Sequence, residues 1–315
     1  MLDGIYTVFV TPFNEDDSID YESINEWIKF QVENNQKNIV LMGTTSETPT
    51  LSREEQLDII KYIYDLNTKN KYCLNLVIGI GGNNTKETLD FAVQCSEYSK
   101  IFMLTVPHYN KPTQEGIFLH YKTICGDERM KNKSFLMYNV PGRTSVNMET
   151  STIVKITDAC KNIVGIKEAS GNIDQIIELF DVVKSRNLKL KIFCGDDKLI
   201  HLFCMYGGSG VISVASNVIP TIMQNIYDFC DPNNPYNHSR PKNISDFCKN
   251  SYSNGYFKFC KVLFCESNPI PVKYLLHYMK IFKTYHMRLP LTSLSEDKRN
   301  IVEDTFDDVN RKFLD

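Results

Sequence analysis

The sequence has little of what marks membrane or nucleic-acid-binding proteins. Its 315 residues contain no run of 18 or more apolar residues, so no segment is typical of a transmembrane helix and we expect no membrane partner. The 35 basic and 38 acidic residues leave a net charge of −3 without a basic stripe, which argues against a nucleic-acid partner. The first ten residues have no basic segment before their apolar run, so we expect no signal peptide and a cytoplasmic protein.

Metal-binding patterns are missing as well. None of the ten cysteines forms a Cys-x-x-Cys pair, and none of the six histidines forms a His-x-x-x-His or His-Glu-x-x-His frame. We therefore expect no catalytic metal. Most of the cysteines lie inside apolar runs such as KIFCGDD, a setting typical of buried, reduced thiols in a cytosolic protein.

The sequence does contain a repeated alternation of strand-like and helix-like segments. The strand-like runs are continuously apolar, as in strands that are buried on both faces of a parallel sheet. Between them, Ser52 and Glu55 form a capping-box pattern, and apolar residues at helical spacing form single stripes. One stripe consists of Ile24, Trp27 and Ile28, and another of Ile173, Ile176, Ile177 and Phe180. The strand-like runs lie at 4–13, 38–47, 74–82, 100–109, 134–143, 162–170, 190–197 and 209–217.

Eight strands alternating with helices predict an α/β protein built as a (β/α)8 TIM barrel, a fold of about 250 residues. An open doubly wound sheet is the alternative, weakened because no G-x-G-x-x-G pattern follows the first strand. The segments 218–230, 256–266 and 270–283 are predicted to be helical, and 231–244 to be an exposed loop. We therefore expect a catalytic barrel over 1–220 and a C-terminal helical region, 221–315, packed on it.

The active site of such a barrel lies at the carboxyl ends of its strands. Lys167 closes the apolar run IVGI, where desolvation disfavours a charged amine and favours a nucleophile that can form a Schiff base with a ketone. A strand-end lysine that only reaches solvent is the alternative. Tyr138 ends the preceding strand and is suited to relaying a proton, although an ordinary tyrosine at the barrel rim would fit the pattern too.

Two further groups at strand ends suit a carboxylate ligand. Thr44 and Thr45 follow the second strand, where hydroxyls and backbone N–H groups at a turn can bind an anion. Arg143 follows a Pro-Gly turn and can hold a carboxylate through two parallel hydrogen bonds. Plain turn chemistry and a solvated loop arginine are the respective alternatives.

Seven motifs occur in an order that points to one family. Together they resemble the dihydrodipicolinate synthase family, within the pyruvate-dependent class I aldolases that also include N-acetylneuraminate lyase. The resemblance covers about residues 4 to 290. The motifs are GTTSE (43–47), PHYNKPTQEG (107–116), YNVPGRT (138–144), GIKEAS (165–170), GDD (195–197), GGSGVISVASNVIP (207–220) and NPIPVK (268–273).

The resemblance implies a catalytic role for four residues. Lys167 would form the Schiff base with pyruvate, and Thr44, Tyr109 and Tyr138 would relay protons. Tyr109 would reach across from a neighbouring subunit of a homotetramer built as a dimer of dimers. The resemblance also implies that no metal or organic cofactor takes part.

Four more residues would bind the substrates. By the same resemblance, Thr45 would hold the carboxylate of pyruvate, and Arg143 would hold that of aspartate semialdehyde. Gly195 and Ile212 would shape the pocket through their backbone groups. The implied reaction is an aldol condensation of pyruvate with L-aspartate 4-semialdehyde followed by cyclisation, in diaminopimelate and lysine biosynthesis.

Two other functions stay open at this point. One is another pyruvate-dependent aldolase, such as an N-acetylneuraminate or keto-deoxy sugar acid lyase. The other is a catalytically silent member that binds pyruvate without turning it over. YNVPGRT and NPIPVK favour the synthase over the lyases, and the intact catalytic residues argue against a silent protein.

The chain also departs from the family pattern. Ser46 stands where the family has glycine, so a positive φ there would cost about 1 kcal/mol and shift the loop. Asn83, Glu87 and His108 match a candidate allosteric site for lysine, although His108 replaces a tyrosine. His108 is either a titrating group at an interface or a packing residue. Nearby departures leave inhibition by lysine open: Pro49, Arg53 and Gln56.

Overall fold

The computed structural model describes residues 2–230 and 255–314, so the predicted loop at 231–244 lies outside the described residues. Its strands form a closed parallel barrel in chain order, with the eighth strand paired to the first. The predicted (β/α)8 barrel is confirmed, and an open doubly wound sheet is excluded. The strands are β1 (Gly4–Val8), β2 (Asn38–Leu41), β3 (Asn75–Ile80), β4 (Ile101–Thr105), β5 (Ser134–Asn139), β6 (Ile163–Glu168), β7 (Lys191–Cys194) and β8 (Gly210–Ser213).

Helices follow the strands around the outside of the barrel and continue beyond it. The predicted helices after β8 are present but shorter than expected, and a long helix at the carboxyl end was not predicted. The helices are α1 (Tyr21–Glu33), α2 (Arg53–Asn70), α3 (Thr85–Gln94), α4 (Gln114–Cys125), α5 (Pro141–Thr144), α6 (Thr150–Ala159), α7 (Ile173–Ser185), α8 (Ile200–Met205), α9 (Pro220–Cys230), α10 (Tyr256–Val262), α11 (Ile270–Tyr278) and α12 (Glu296–Leu314).

Local sequence signals explain where several helices begin and which face they bury. The predicted capping box of α2 is present, because Ser52 accepts a hydrogen bond from the Glu55 N–H and the Glu55 side chain accepts one from the Ser52 N–H. In α7 the predicted apolar face is wrong at Ile173, which is the first residue of the helix and is 40% exposed. Leu179, which was not predicted, is part of the buried face.

Two apolar layers hold the barrel together. One fills its interior and includes Tyr6, whose ring meets that of Phe193 edge to face at 5.4 Å between centroids. The other lies between strands and helices and includes Trp27, which donates a hydrogen bond to Asn217. The barrel closes tightly at Gly210, where a Cβ atom would lie 1.9 Å from a backbone oxygen of the first strand.

The helices that follow β8 cover one side of the barrel. Helix α9 packs against α8 and β1, while α10 and α11 both pack against α12. The boundary predicted after residue 220 stays a prediction. Within residues 2–230 and 255–314, no helix is both long and apolar enough to cross a membrane.

The described cysteines are free thiols, and most are buried as predicted. The prediction is wrong for Cys73, which is exposed just before β3. Cys204 and Cys265 are half-buried. The fully buried ones are Cys95, Cys125, Cys160, Cys194 and Cys260.

A buried histidine makes stability depend on pH. His120, in α4, bonds Thr85 through Nδ1 at 2.9 Å, and burial lowers its pKa to about 4. Between about pH 6.5 and pH 4, the unfolded chain therefore binds a proton on His120 that the folded chain does not bind. The contribution of His120 to the free energy of unfolding is complete above pH 6.5 and is lost as the pH falls towards 4. We expect a loss of up to about 3 kcal/mol from this residue in denaturant titrations.

The matched control is His120→Asn, whose amide can keep the Thr85 contact but does not titrate. It should lose less unfolding free energy than the wild type between pH 6.5 and pH 4. An identical pH dependence in both proteins would contradict this account of His120.

Candidate active site

The lysine singled out by the sequence lies inside the carboxyl end of the barrel. Lys167 is on β6 and is 6% exposed, and the register sets it beside Tyr138 on β5 and Phe193 on β7. Its Nζ lies 4.4 Å from the centre of the Tyr138 ring, and Tyr138 is 5% exposed. The structure thus holds an amine and a phenol side by side among apolar walls, which suits attack on a carbonyl.

The two threonines lie in a short turn of 3₁₀ helix, Thr44–Ser46, that follows the end of β2 after two intervening residues. Thr45 is 1% exposed, and its Oγ1 accepts a hydrogen bond of 3.0 Å from Nδ2 of Asn268. Asn268 belongs to the NPIPVK motif, whose contact with this turn the sequence analysis missed. The C-terminal region therefore supports the turn on which carboxylate binding is predicted.

The replacement of glycine by Ser46 causes no backbone strain. The positive φ in this turn, 53°, belongs to Glu47 and not to Ser46. The Ser46 hydroxyl donates to the carbonyl of Phe9 at 2.8 Å, and its own carbonyl accepts from Thr11 at 2.7 Å. The expected shift of the loop is thus absent, because Ser46 does not have a positive φ, and its hydroxyl adds a hydrogen bond to the residue that follows β1.

A buried ion pair lies directly behind this turn. Glu47 and Lys273 bond to each other with both side chains wholly buried, although they stand 226 positions apart in the chain. Lys273 also donates to the carbonyl of His286 at 3.1 Å and lies 4.4 Å from the ring of Phe13. Burial lowers the pKa of Lys273 to about 8 and raises that of Glu47, so desolvation outweighs the attraction for both groups.

Gly195 and Ile212, whose pocket-shaping role stays a prediction, both lie in tightly packed surroundings at the carboxyl end of the barrel. Gly195 donates its N–H to the carbonyl of Glu168 at 2.9 Å, and a Cβ atom there would lie 2.5 Å from that of Ala169. Only glycine permits this close approach between the ends of β6 and β7. Ile212 is 1% exposed and belongs to the apolar cluster inside the barrel that contains Tyr138.

Two buried carboxylates hold the strand ends around Lys167 in place. Glu168 accepts hydrogen bonds from Asn139 at 3.0 Å and from the N–H of Ser170 at 2.5 Å, and burial raises its pKa. Asp197 accepts from the N–H groups that follow β8, at 3.0 and 2.9 Å, and burial raises its pKa too. Both residues lie in motifs noted in the sequence, GIKEAS and GDD, but these contacts were not predicted from it.

Two predicted site residues lie at the surface of the single chain. Tyr109 is 83% exposed and has a φ of 61° in the loop after β4. Arg143 is exposed on the short helix α5, which directly follows β5. Both therefore stand at the carboxyl ends of strands next to the buried Lys167 and Tyr138, but outside the barrel.

The candidate lysine site is also exposed in this chain. Asn83, Glu87 and His108 all have exposed side chains, so His108 does not pack inside the single chain, and its role at an interface stays a prediction. Next to this group, the guanidinium of Arg53 stacks on the ring of Phe91 at 3.8 Å. Burial lowers the pKa of Arg53, and the nearby carboxylate of Glu87 opposes that shift.

No group of three or more His, Cys, Asp or Glu side chains in residues 2–230 and 255–314 is arranged to hold a metal ion.

The comparisons with known proteins agree on one family. The model of the dihydrodipicolinate synthetase family matches residues 1–308. The chain is 35% identical to the 4-hydroxy-tetrahydrodipicolinate synthase of Coxiella burnetii over 313 residues, which covers 99% of this chain and all of that one.

Solved structures give the same result. The chloride-inhibited dihydrodipicolinate synthase of Acinetobacter baumannii, complexed with pyruvate, superposes with a TM-score of 0.85 at 32% identity, covering 98% of this chain and 99% of that one. The enzyme from Cyanidioschyzon merolae with lysine bound superposes at 0.84 with 28% identity, covering 98% of both chains. Sequence motifs, barrel and whole-length likeness lead to one conclusion: the chain belongs to the dihydrodipicolinate synthetase family.

Proposed function

We propose that this protein is a 4-hydroxy-tetrahydrodipicolinate synthase that joins pyruvate to L-aspartate 4-semialdehyde through a Schiff base on Lys167. The observation that carries the proposal is the buried amine of Lys167, 4.4 Å from the ring of Tyr138 at the carboxyl end of the barrel. Family membership and the threonine turn after β2 support it.

The first half of the reaction uses pyruvate alone. The Lys167 amine attacks the keto carbon, a C–N bond forms and water leaves, which gives an iminium ion. Thr45 and the backbone of its turn hold the carboxylate. The positive iminium nitrogen then draws in the electrons of a methyl C–H bond, and a neighbouring hydroxyl takes the proton to leave an enamine.

The second half forms the new carbon–carbon bond. The enamine carbon attacks the aldehyde carbon of the semialdehyde, and the aldehyde oxygen takes up a proton from the Thr44, Tyr138 and Tyr109 relay. The amino group of the semialdehyde then attacks the iminium carbon. This step closes a six-membered ring and expels the free amine of Lys167.

A coupled assay tests the function directly. Purified protein is mixed with pyruvate and aspartate semialdehyde, and a reductase that consumes the heterocyclic product reports turnover. The proposal expects turnover that depends on both substrates. Turnover of sugar acids instead would show a lyase, and pyruvate binding without any turnover would show a silent protein.

Arg143→Ala should separate the two substrates. We expect the exposed guanidinium to hold the carboxylate of the semialdehyde at the entrance, whereas pyruvate would be bound deeper. We expect the KM for the semialdehyde to rise by about tenfold to a hundredfold, as for loss of a charged hydrogen bond of 1.5 to 3 kcal/mol. The amount of pyruvate trapped on Lys167 by borohydride should not change. An equal loss of semialdehyde turnover and of pyruvate trapping would contradict this role.

The proposed assembly is a homotetramer, a dimer of dimers in which Tyr109 reaches the site of a neighbouring copy. The 83% exposure of Tyr109 in the single chain supports this, because a relay residue has to be covered to work. A cytoplasmic location stays a prediction.

We expect lysine to inhibit this protein weakly. A lysine ligand needs a free carboxylate for its ammonium group, but Arg53 lies near Glu87 and is held by Phe91 and by a 2.9 Å bond to Gln56. A second cation beside it is unfavourable. In the coupled assay, millimolar lysine should leave the rate nearly unchanged, whereas Arg53→Gln should increase the sensitivity. Strong inhibition of the wild type would contradict this expectation.

A further inference from the structure

Two thiols meet at the end of the barrel opposite the candidate active site. Cys125 is the last residue of α4, and Cys160 directly follows α6. The two helices pack against each other, and the two thiols lie close enough that each shifts the pKa of the other. Asn162, which precedes β6, donates a hydrogen bond of 2.9 Å to the carbonyl of Cys125. The pair therefore sits at the amino ends of β5 and β6, away from Lys167.

The pair lies on a cleft that small molecules can enter. The cleft has a volume of about 560 Å³, and both cysteines line it. Its charged lining residues are Lys122, Asp127 and Lys161, so positive charge exceeds negative. Each residue is largely covered, Cys125 at 5% and Cys160 at 6% exposure, yet both line this one opening.

The two sulfur atoms differ in chemical character. The hydrogen bond from Cys125 and the nearby Lys122 ammonium lower the pKa of Cys160 to about 7, although burial opposes this shift. The same hydrogen bond, together with burial, raises the pKa of Cys125 well above its usual range. Of the two thiols, Cys160 is therefore the one that gives up its proton more readily.

We propose that Cys125 and Cys160 form a redox-sensitive thiol pair, which a hydroperoxide converts into a disulfide that links the ends of α4 and α6. The Cys160 thiolate attacks one oxygen of the hydroperoxide, and the O–O bond breaks to give a sulfenic acid and an alcohol or water. The Cys125 sulfur then attacks the Cys160 sulfur. The S–S bond forms as the S–O bond breaks, and the oxygen leaves as water with the thiol proton.

The other described thiols lack this combination. Burial raises the pKa of Cys95 to about 12 and that of Cys194 well above its usual range, so neither supplies a thiolate. Cys73 is exposed and donates to the carbonyl of Lys71. It is the natural internal control, because an oxidant reaches it directly whether or not the proposed pair reacts.

The experiment uses mass spectrometry, so it does not depend on the proposed enzyme activity. Protein with serine at positions 73, 230 and 248 is treated with hydrogen peroxide, its free thiols are blocked, and its peptides are mapped. We expect a loss of two hydrogens, one linked peptide joining Cys125 to Cys160, and full reversal by dithiothreitol. If the triple variant does not fold, peptide mapping of the wild type answers the same question.

Single variants test the order of events. In Cys125→Ser, a sulfenic acid on Cys160 should accumulate and be trapped by dimedone. In Cys160→Ser, Cys125 should stay reduced. The disulfide should raise the unfolding temperature by several degrees while kcat stays within twofold, since Lys167 lies at the other end of the barrel. The proposal would be overturned if Cys125 and Cys160 are both recovered as blocked, unlinked thiols after a peroxide treatment that oxidises Cys73 in the wild type.

Discussion

Lys167→Arg should lower kcat/KM by at least about a thousandfold, because the variant keeps a positive charge but has no amine that can form a Schiff base. Borohydride added to the wild type with pyruvate should fix one pyruvate-derived group on Lys167. The arginine variant should gain no mass under the same conditions. The readout is intact mass and peptide mapping together with the coupled assay.

Lys198→Arg is the matched control for this experiment. Lys198 lies just after β7, at the same end of the barrel, and pairs with Asp196 at 3.1 Å. Its substitution should leave both turnover and trapping nearly unchanged. A trapped pyruvate on any residue other than Lys167, in an active wild type, would reject the assignment of the nucleophile.

Lys273→Met should cause the largest loss of stability. It leaves Glu47 wholly buried without its partner, and breaking a buried pair in this way costs about 3–5 kcal/mol of unfolding free energy. Because Glu47 directly follows the threonine turn, we also expect the KM for pyruvate to rise. Denaturant unfolding and steady-state kinetics measure the two effects.

The double variant Glu47→Gln with Lys273→Met separates the effect of leaving the Glu47 charge without a partner from the effect of losing the Lys273 side chain. It removes both charges, so most of the lost stability should return, while the KM for pyruvate should stay raised if the pair positions the turn. Lys283→Met, which breaks the exposed pair with Glu22 and a longer contact of 4.0 Å with Asp20, should have little effect on either quantity. Equal free energies of unfolding for Lys273→Met and the wild type would show that the pair contributes nothing to stability.

The sequence allowed the barrel and the buried lysine at a strand end to be predicted for a physical reason. Strands buried on both faces must be continuously apolar, so the strand segments were visible as runs, and a lysine at the end of such a run stands out. Side-chain capping was also predictable where both partners lie close in the chain, as with Ser52 and Glu55.

Contacts between distant segments were beyond sequence reasoning. Glu47 and Lys273 both lie in quoted motifs, yet nothing in either motif says that one charge neutralises the other across 226 positions. The expectation for Ser46 failed for a related reason. The residue with positive φ is its neighbour Glu47, and only the fold shows the Phe9 carbonyl that the serine hydroxyl meets.

The hydrogen bond from Asn268 to Thr45 also has a consequence for biosynthesis of the chain. All eight strands and Lys167 leave the ribosome before Asn268 and Lys273, which lie within about the last fifty residues. A nascent chain therefore contains every strand of the barrel while the Thr44–Ser46 turn still lacks both of its supports. In the proposed mechanism, chains released early would carry the nucleophile without the means to position its substrate.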